Sequence, residues 1–276
     1  MITLKNGVVV PCGKCPACLA NQRQEWCFRL QQENLASSFS LFVTLTYDDE
    51  HKPEKGVNKN DIQLFHKRLR KHFPSGELRF YVVSEYGDHT FRPHYHGLYF
   101  FKSVQDIEKV YQIFVNSWQL GFIKFGKVET GSIVYCTKYC LKKKFVPAGQ
   151  NENFRLMSKM NGGLGSYYLE QMSDFHVEFE NFAFVSHAGK KCRMPRYFKD
   201  KLSSLYRVYH EEEYQRGIEE YFAKMREEHL QRFKDFVKEH KGLSYDEAIN
   251  QFNALEQRSH DTRDELILKH TQKQKF

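Results

Sequence analysis

The chain has 276 residues, of which 41% are hydrophobic and 15% aromatic, enough for a full domain core plus an appendage. No apolar run approaches the length of a membrane span and the first residues carry no signal-type apolar segment, so a membrane partner is excluded and a cytoplasmic location, in a bacterial host cell, is expected. The formal net charge of +8 favours a polyanionic partner, most simply nucleic acid, and seven clustered cysteines argue against a secreted disulfide framework.

Met1 to Val10 reads as a short strand-like segment. Pro11-Cys12-Gly13-Lys14-Cys15-Pro16-Ala17-Cys18 then spaces three cysteines strictly by three among Gly and Pro, the composition of a metal knuckle. A closed structural Zn²⁺ site needs four ligands. The fourth is sought in Cys192, with Cys27 and His187 as alternatives. The plain alternative is a reduced turn whose thiols pack as small hydrophobes. Asn21 to Leu35 predicts a helix with Trp26, Phe28 and Leu30 for packing.

Phe39 to Tyr47 is β-branched and aromatic and predicts a strand, stopped by Asp48-Asp49-Glu50. Asn58 or Asn60 can cap a helix running to about His72, with Ile62, Phe65, Leu69 and Phe73 on one face. Its basic face (Lys67, Arg68, Arg70, Lys71) reads as solvated. Leu78 to Glu85 predicts a second strand. The run Pro93 to Phe101 predicts a third, and on it His94 and His96 share a face, roughly 6–7 Å apart at the backbone. Turn residues lie between these two strands. If they form a hairpin, Glu85 ends one strand where His94 begins the other, and two imidazoles and a carboxylate converge as a ligand set.

Ser103 to Asp106 predicts the start of a helix running to Trp118, ended near Gly121, and Phe122 to Glu129 predicts a fourth strand. The order strand, helix, strand, strand, helix, strand is that of a split βαβ, ferredoxin-like (RRM-like) antiparallel sheet in an α+β protein. Thr130 can cap a further helix through Lys144. On it Tyr135 and Tyr139 are four apart and share a face, with Lys138 beside the second. Cys136 and Cys140 read as packing residues. Phe145 to Gly165 reads as a polar, glycine-rich surface loop. A further helix and strand follow, and then a basic stretch to Tyr197. Lys142, Lys143, Lys144, Lys190, Lys191, Arg193 and Arg196 are the candidate contacts to DNA. From Lys201 onward the composition turns to Glu, Lys, Gln and Arg with helically spaced aromatics. It predicts two or three helices, broken at Gly242 to Glu247 where Ser244 caps the last. The resulting division is a Cys-rich segment and helix at 1–38, a catalytic domain at 39–200 and a helical C-terminal appendage at 201–276.

Three elements thus occur in fixed order: Phe42-Val43-Thr44-Leu45-Thr46-Tyr47, His94-Tyr95-His96, and Tyr135-x-x-Lys138-Tyr139. This resembles the HUH endonucleases, which initiate rolling-circle replication. The paired tyrosines, the Pro-Cys-Gly-Lys-Cys-Pro-Ala-Cys start and Arg193-Met194-Pro195-Arg196-Tyr197 make it most similar to the microvirus (gokushovirus-like) two-tyrosine initiators of single-stranded DNA phages. The resemblance implies an HUH fold. It implies that His94, His96 and Glu85 hold Mg²⁺ or Mn²⁺, and that Tyr135 and Tyr139 alternate as nucleophiles, forming 5′-phosphotyrosine bonds at a replication origin and later closing the circle. Lys138 would stabilise charge or position the metal. The partner would be single-stranded or supercoiled DNA. No P-loop is present, so strand separation would need a host helicase, beside a host polymerase. Two other readings use the same residues: a non-catalytic zinc-knuckle nucleic-acid-binding protein, in which the histidines and tyrosines pack or stack, and a related HUH transposase or relaxase.

Overall fold

The computed structural model describes residues 2–3, 9–87, 90–138, 146–160, 162–179, 183–185 and 191–273. In chain order the elements are β1 (Ile2–Thr3), β2 (Val9–Val10), α1 (Pro16–Leu35), β3 (Phe39–Tyr47), α2 (Lys59–Leu69), β4 (Leu78–Tyr86), β5 (Pro93–Phe101), α3 (Ile107–Ser117), β6 (Gly121–Lys127), α4 (Thr130–Lys138), β7 (Arg155–Met157), α5 (Ser166–Glu178), β8 (Ala183–Val185), β9 (Lys191–Arg193), α6 (Arg196–Tyr209), α7 (Glu211–Glu239) and α8 (Tyr245–Lys273). The chain divides into two compact units, residues 24–198 and residues 1–23 with 199–276.

The larger unit is an α+β domain built on a five-stranded antiparallel sheet in the order β6-β3-β5-β4-β7. Its first four strands and two helices follow the expected ferredoxin-like order. Both faces of β5 are covered, which is why Pro93 to Phe101 reads as an almost unbroken apolar run rather than an alternating one. On one face Tyr95, Tyr99 and Phe101 pack with Leu41, Val43 and Leu45 against Ile62, Phe65 and Leu69 of α2 and Val110, Ile113 and Phe114 of α3. On the other, Leu98 and Phe100 pack with Tyr81, Val83, Leu30, Ile133 and Cys136.

Polar atoms inside the first core layer are paired. The Tyr47 hydroxyl donates to Asp61 Oδ2 at 2.7 Å and lies 2.7 Å from the Tyr95 hydroxyl, which accepts from the Asn58 N–H at 2.7 Å. This network ties β3 and β5 to the start of α2. Burial pushes the Tyr95 hydroxyl up to about 12 and raises that of Tyr47 further. Gly97 is required by close approach: a Cβ there would sit 2.4 Å from the Tyr99 ring.

Several boundaries differ from expectation. Helix α1 starts at Pro16, five residues before Asn21, because proline is tolerated in the first turn, where its missing N–H has no partner to lose. Helix α2 ends at Leu69 rather than near His72. Helix α3 is capped by Asp106, whose Oδ1 accepts from the Lys109 N–H at 3.0 Å, while Ser103 bonds to Glu77 instead. The stretch read as a surface loop holds β7, an edge strand pairing Met157 with Tyr81 and Arg155 with Val83. Three residues are too few to display a period.

In the smaller unit, Phe236, Ala248 and Phe252 form an apolar cluster between α7 and α8, with Phe233 and Leu243 against it. The Ser244 hydroxyl and N–H both donate to Glu247 Oε2, at 2.6 and 2.9 Å, so the break and cap expected before the last helix are present.

His66 on α2 is buried, stacked on Phe80 with ring centroids 3.7 Å apart, and its Nε2 lies 3.1 Å from the Tyr99 hydroxyl. Burial, with the Arg70 charge adding to it, pulls its pKa from 6.5 down to about 3. The folded chain therefore keeps the imidazole neutral while the unfolded chain takes up a proton below about pH 6.5. This contribution is fully present above pH 6.5 and is lost as pH falls towards 3. Urea unfolding at pH 7 and pH 5 should show a loss of about 2 kcal/mol that is absent from His66→Gln, the comparison cancelling the titration of other groups.

Candidate active site

The site is built from three neighbouring strands and one helix. In the β4–β5 pairing Glu85 faces His94 and Val83 faces His96, and in the β3–β5 pairing Thr44 faces His96 and Thr46 faces His94. Because strand side chains alternate, Phe42, Thr44, Glu85, His94 and His96 all rise from the face opposite α2 and α3. The hairpin expected from the sequence therefore has the register that brings the carboxylate to the histidines.

One ligand atom from each of Glu85, His94 and His96 lies within 4.8 Å of the other two. Glu85 Oε2 is 3.1 Å from His96 Nε2. His96 Nδ1 lies 3.1 Å from Thr44 Oγ1, which leaves Nε2 pointing into the cluster. The Phe42 ring stacks on His96 with an interplanar angle of 14°. A ligating histidine held through its other nitrogen is the usual support of a metal site, and two imidazoles with one carboxylate form a donor set that fits a divalent cation.

Helix α4 brings the hydroxyl that chemistry needs. Ile133, Cys136 and Thr137 are its buried residues and fix its rotation over the sheet. Thr137 Oγ1 bonds back to the Ile133 carbonyl at 2.8 Å and lies 3.0 Å from Cys27 Sγ of α1. That rotation directs Tyr135 into the ligand cluster: its hydroxyl donates to Glu85 Oε2 at 2.8 Å and lies 3.3 Å from His96 Nε2. Lys138 Nζ stands 3.8 Å from the centre of the Tyr135 ring, a cation over a π-face.

A family model for replication-associated proteins of the ORF2 type matches residues 40–144, the segment that contains every one of these strand and helix residues. The chain is 30% identical over 211 residues to the replication-associated protein VP4 of Bdellovibrio phage phiMH2K, covering 69% of this chain and 66% of that protein. It belongs to this family of replication-associated proteins. Identity is 29% over 225 residues to the replication-associated protein ORF2 of Spiroplasma virus 4, covering 72% and 70% of the two chains. For the replication-associated protein ORF4 of Chlamydia phage 1 it is 26% over 216 residues, covering 71% and 54%. Part of each relative thus lies outside the match, and the chain spans under two thirds of the first and about half of the third. No solved structure matches at the same stringency. The resemblance to replication proteins of small phages is borne out by these relatives.

The other residues singled out in this family member are placed as follows. Tyr139, Cys140, Lys142, Lys143, Lys144 and Lys190 lie outside the described residues, as does His187. Lys191 lies on β9. Arg193 ends β9 and Arg196 opens α6, both exposed. Cys192 is buried on β9, opposite Phe184. Cys136 is buried within α4, and burial, with the Glu85 charge adding to it, raises its thiol, in keeping with a packing role. Cys12, Cys15 and Cys18 form the second group of potential ligands among the described residues. The Lys14 and Cys15 N–H groups hold the Cys12 thiol down at about 6, whereas burial raises that of Cys18.

In the sequence, Thr44 and Phe42 stand out only as parts of a strand. Their roles around His96 follow once β3 is paired with β5, a long-range register that local periodicity does not encode.

Alkylation with iodoacetamide at pH 7 after treatment with a chelator should modify Cys12 fastest, Cys18 more slowly and Cys136 only after denaturation. Peptide mass mapping over a time course reads the order.

Proposed function

We propose that the chain initiates replication of a small DNA genome by cutting one strand at an origin, with Tyr135 as nucleophile. The observation that carries this reading is the Tyr135 hydroxyl lying 2.8 Å from Glu85 Oε2 and 3.3 Å from His96 Nε2. A packing tyrosine would have no reason to turn its hydroxyl into a two-histidine, one-carboxylate cluster. The relatives named as replication-associated proteins support the same reading.

Glu85, His94 and His96 would hold one divalent cation, Mn²⁺ more readily than Mg²⁺ because two of the donors are imidazoles. Such an ion would supply charge neutralisation at the scissile phosphate. The chain's own residues do the rest. Tyr135 Oη attacks phosphorus and forms a tyrosyl 5′-phosphate, while the bond from phosphorus to the 3′ oxygen breaks. The tyrosine proton passes to Glu85 Oε2, already its acceptor, and the 3′ oxygen leaves as a hydroxyl that can prime synthesis. Thr44 keeps His96 oriented through Nδ1. Lys138 offsets negative charge beside the nucleophile. Tyr139 serves as the second nucleophile for the transfer that closes the circle. Arg193 and Arg196, with Lys142, Lys143, Lys144, Lys190 and Lys191, bind the strand's phosphates. The partners are origin DNA and the host's helicase and polymerase, and the work is done in the bacterial cytoplasm.

Mixing the full chain with Mn²⁺ and labelled single-stranded oligonucleotides tiling a candidate origin should give a protein-linked band on a denaturing gel. His96→Ala should lower its yield by about a hundredfold or more, the scale of losing one electrostatic stabiliser of a developing charge. The double change Tyr135→Phe/Tyr139→Phe should remove it, and the single changes rank the two hydroxyls. Binding with no covalent band across the whole tiling and both metals would overturn the reading.

Loss of Thr44 Oγ1 should act through the cation rather than the nucleophile. Thr44→Val is expected to weaken Mn²⁺ binding by about 10- to 100-fold, read by electron paramagnetic resonance titration, while excess Mn²⁺ restores the covalent band.

A further inference from the structure

Cys12, Cys15 and Cys18 take no part in the tyrosine chemistry, yet their arrangement is specific. Cys12 Sγ and Cys18 Sγ are 3.9 Å apart, and the three sulphurs all lie within 4.8 Å of one another. A tetrahedral zinc with Zn–S bonds of about 2.3 Å spaces its thiolates about 3.8 Å apart, so the three sulphurs already sit near three corners of that polyhedron. A disulfide does not account for the group. The six cysteines among the described residues are free thiols, and pairing two of these three would still strand the third.

The backbone around Cys12 is folded for a thiolate. The Cys15 N–H donates to Cys12 Sγ at 3.2 Å, and the Lys14 N–H also points to that sulphur. The turn that aims these amides runs through Gly13 at φ +74°. A Cβ at Gly13 would meet nothing within 4 Å, so glycine serves the left-handed conformation there, not a lack of space. The Leu19 N–H bonds to the Cys15 carbonyl at 2.9 Å, which begins α1 and sets Cys15 and Cys18 three residues apart on one helical face.

We propose that Cys12, Cys15 and Cys18 bind one Zn²⁺ as thiolates, with the fourth coordination position taken by a further donor. Three S–H bonds are replaced by three S–Zn bonds, and the thiol protons released pass to the buffer. The site is structural: it fixes the turn before α1. A four-iron cluster is the poorer fit, because each of its thiolates binds a different iron and the sulphurs must stand farther apart.

The test uses the full chain, expressed in medium containing zinc and purified without chelator, with metal content read by mass spectrometry. About one zinc per chain is expected. That content should persist in Glu85→Ala/His94→Ala/His96→Ala, which removes the other ligand group, and fall at least tenfold in Cys12→Ser/Cys15→Ser. Should the cysteine variant fail to fold, the wild-type chain decides. Stripped of metal and titrated with Co²⁺, it should develop a thiolate-to-cobalt charge-transfer band in the near ultraviolet, which one equivalent of Zn²⁺ abolishes. Wild-type chain that carries no zinc and gives no such band overturns the assignment. So does zinc that leaves with the histidines instead of the cysteines. Neither outcome bears on the tyrosine reading, which is scored by DNA cleavage in Mn²⁺.

Discussion

The pairing register of β4 against β5 is the constraint on which the candidate site depends. With Glu85 opposite His94, the carboxylate and both imidazoles share one face. A slip by one residue would send His94 and His96 into the layer beneath α2 and α3 and bring Tyr95 out into their place. What prevents the slip is the packing of both faces at once. Tyr95, Tyr99 and Phe101 fill one layer, and Leu98 and Phe100 fill the other, so neither set can exchange with the other without loss. The Tyr95 hydroxyl adds a polar lock, since it is engaged by Tyr47 and Asn58.

The same logic extends from strand to helix. The position of Tyr135 is set by the three residues that face inward around it, Ile133, Cys136 and Thr137. The candidate nucleophile is therefore held by apolar burial on α4 and by hydrogen bonds at its hydroxyl end. Its ring contacts Phe42 edge-on and His96 nearly at right angles, with centroids 4.9 Å apart in the second case. Preorganisation of this kind comes from packed elements rather than loops.

Local sequence carries the strands and their order well. Phe39 to Tyr47 needs only β-branched and aromatic density, and the His94-x-His96 spacing places both rings on one face without any tertiary knowledge. Glu85 needs one further assumption, that two strands with turn residues between them form a hairpin. The support given to His96 by Thr44 lies beyond that reach, because it depends on which distant strand lies on the other side of β5. Helix starts are hard to read where two capping residues stand close together: Asp106 bonds the Lys109 amide, while Ser103 is engaged by Glu77. The edge strand β7 escapes a sequence reading because its three residues carry no pattern, and its place is set by the free edge of β4.

The turn that joins β4 to β5 is pinned independently of its tip. The Gly87 N–H bonds the Arg92 carbonyl at 3.1 Å, and Arg92 in turn reaches the Tyr47 carbonyl at 2.8 Å and the Asp49 carboxylate. The base of the turn thus belongs to the sheet, while Phe91 at φ +51° is exposed. Such an arrangement separates evolvability from chemistry. Length and composition can change at the tip, a natural graft point for a foreign peptide or a reporter, and the spacing of carboxylate and imidazoles below it has no reason to follow.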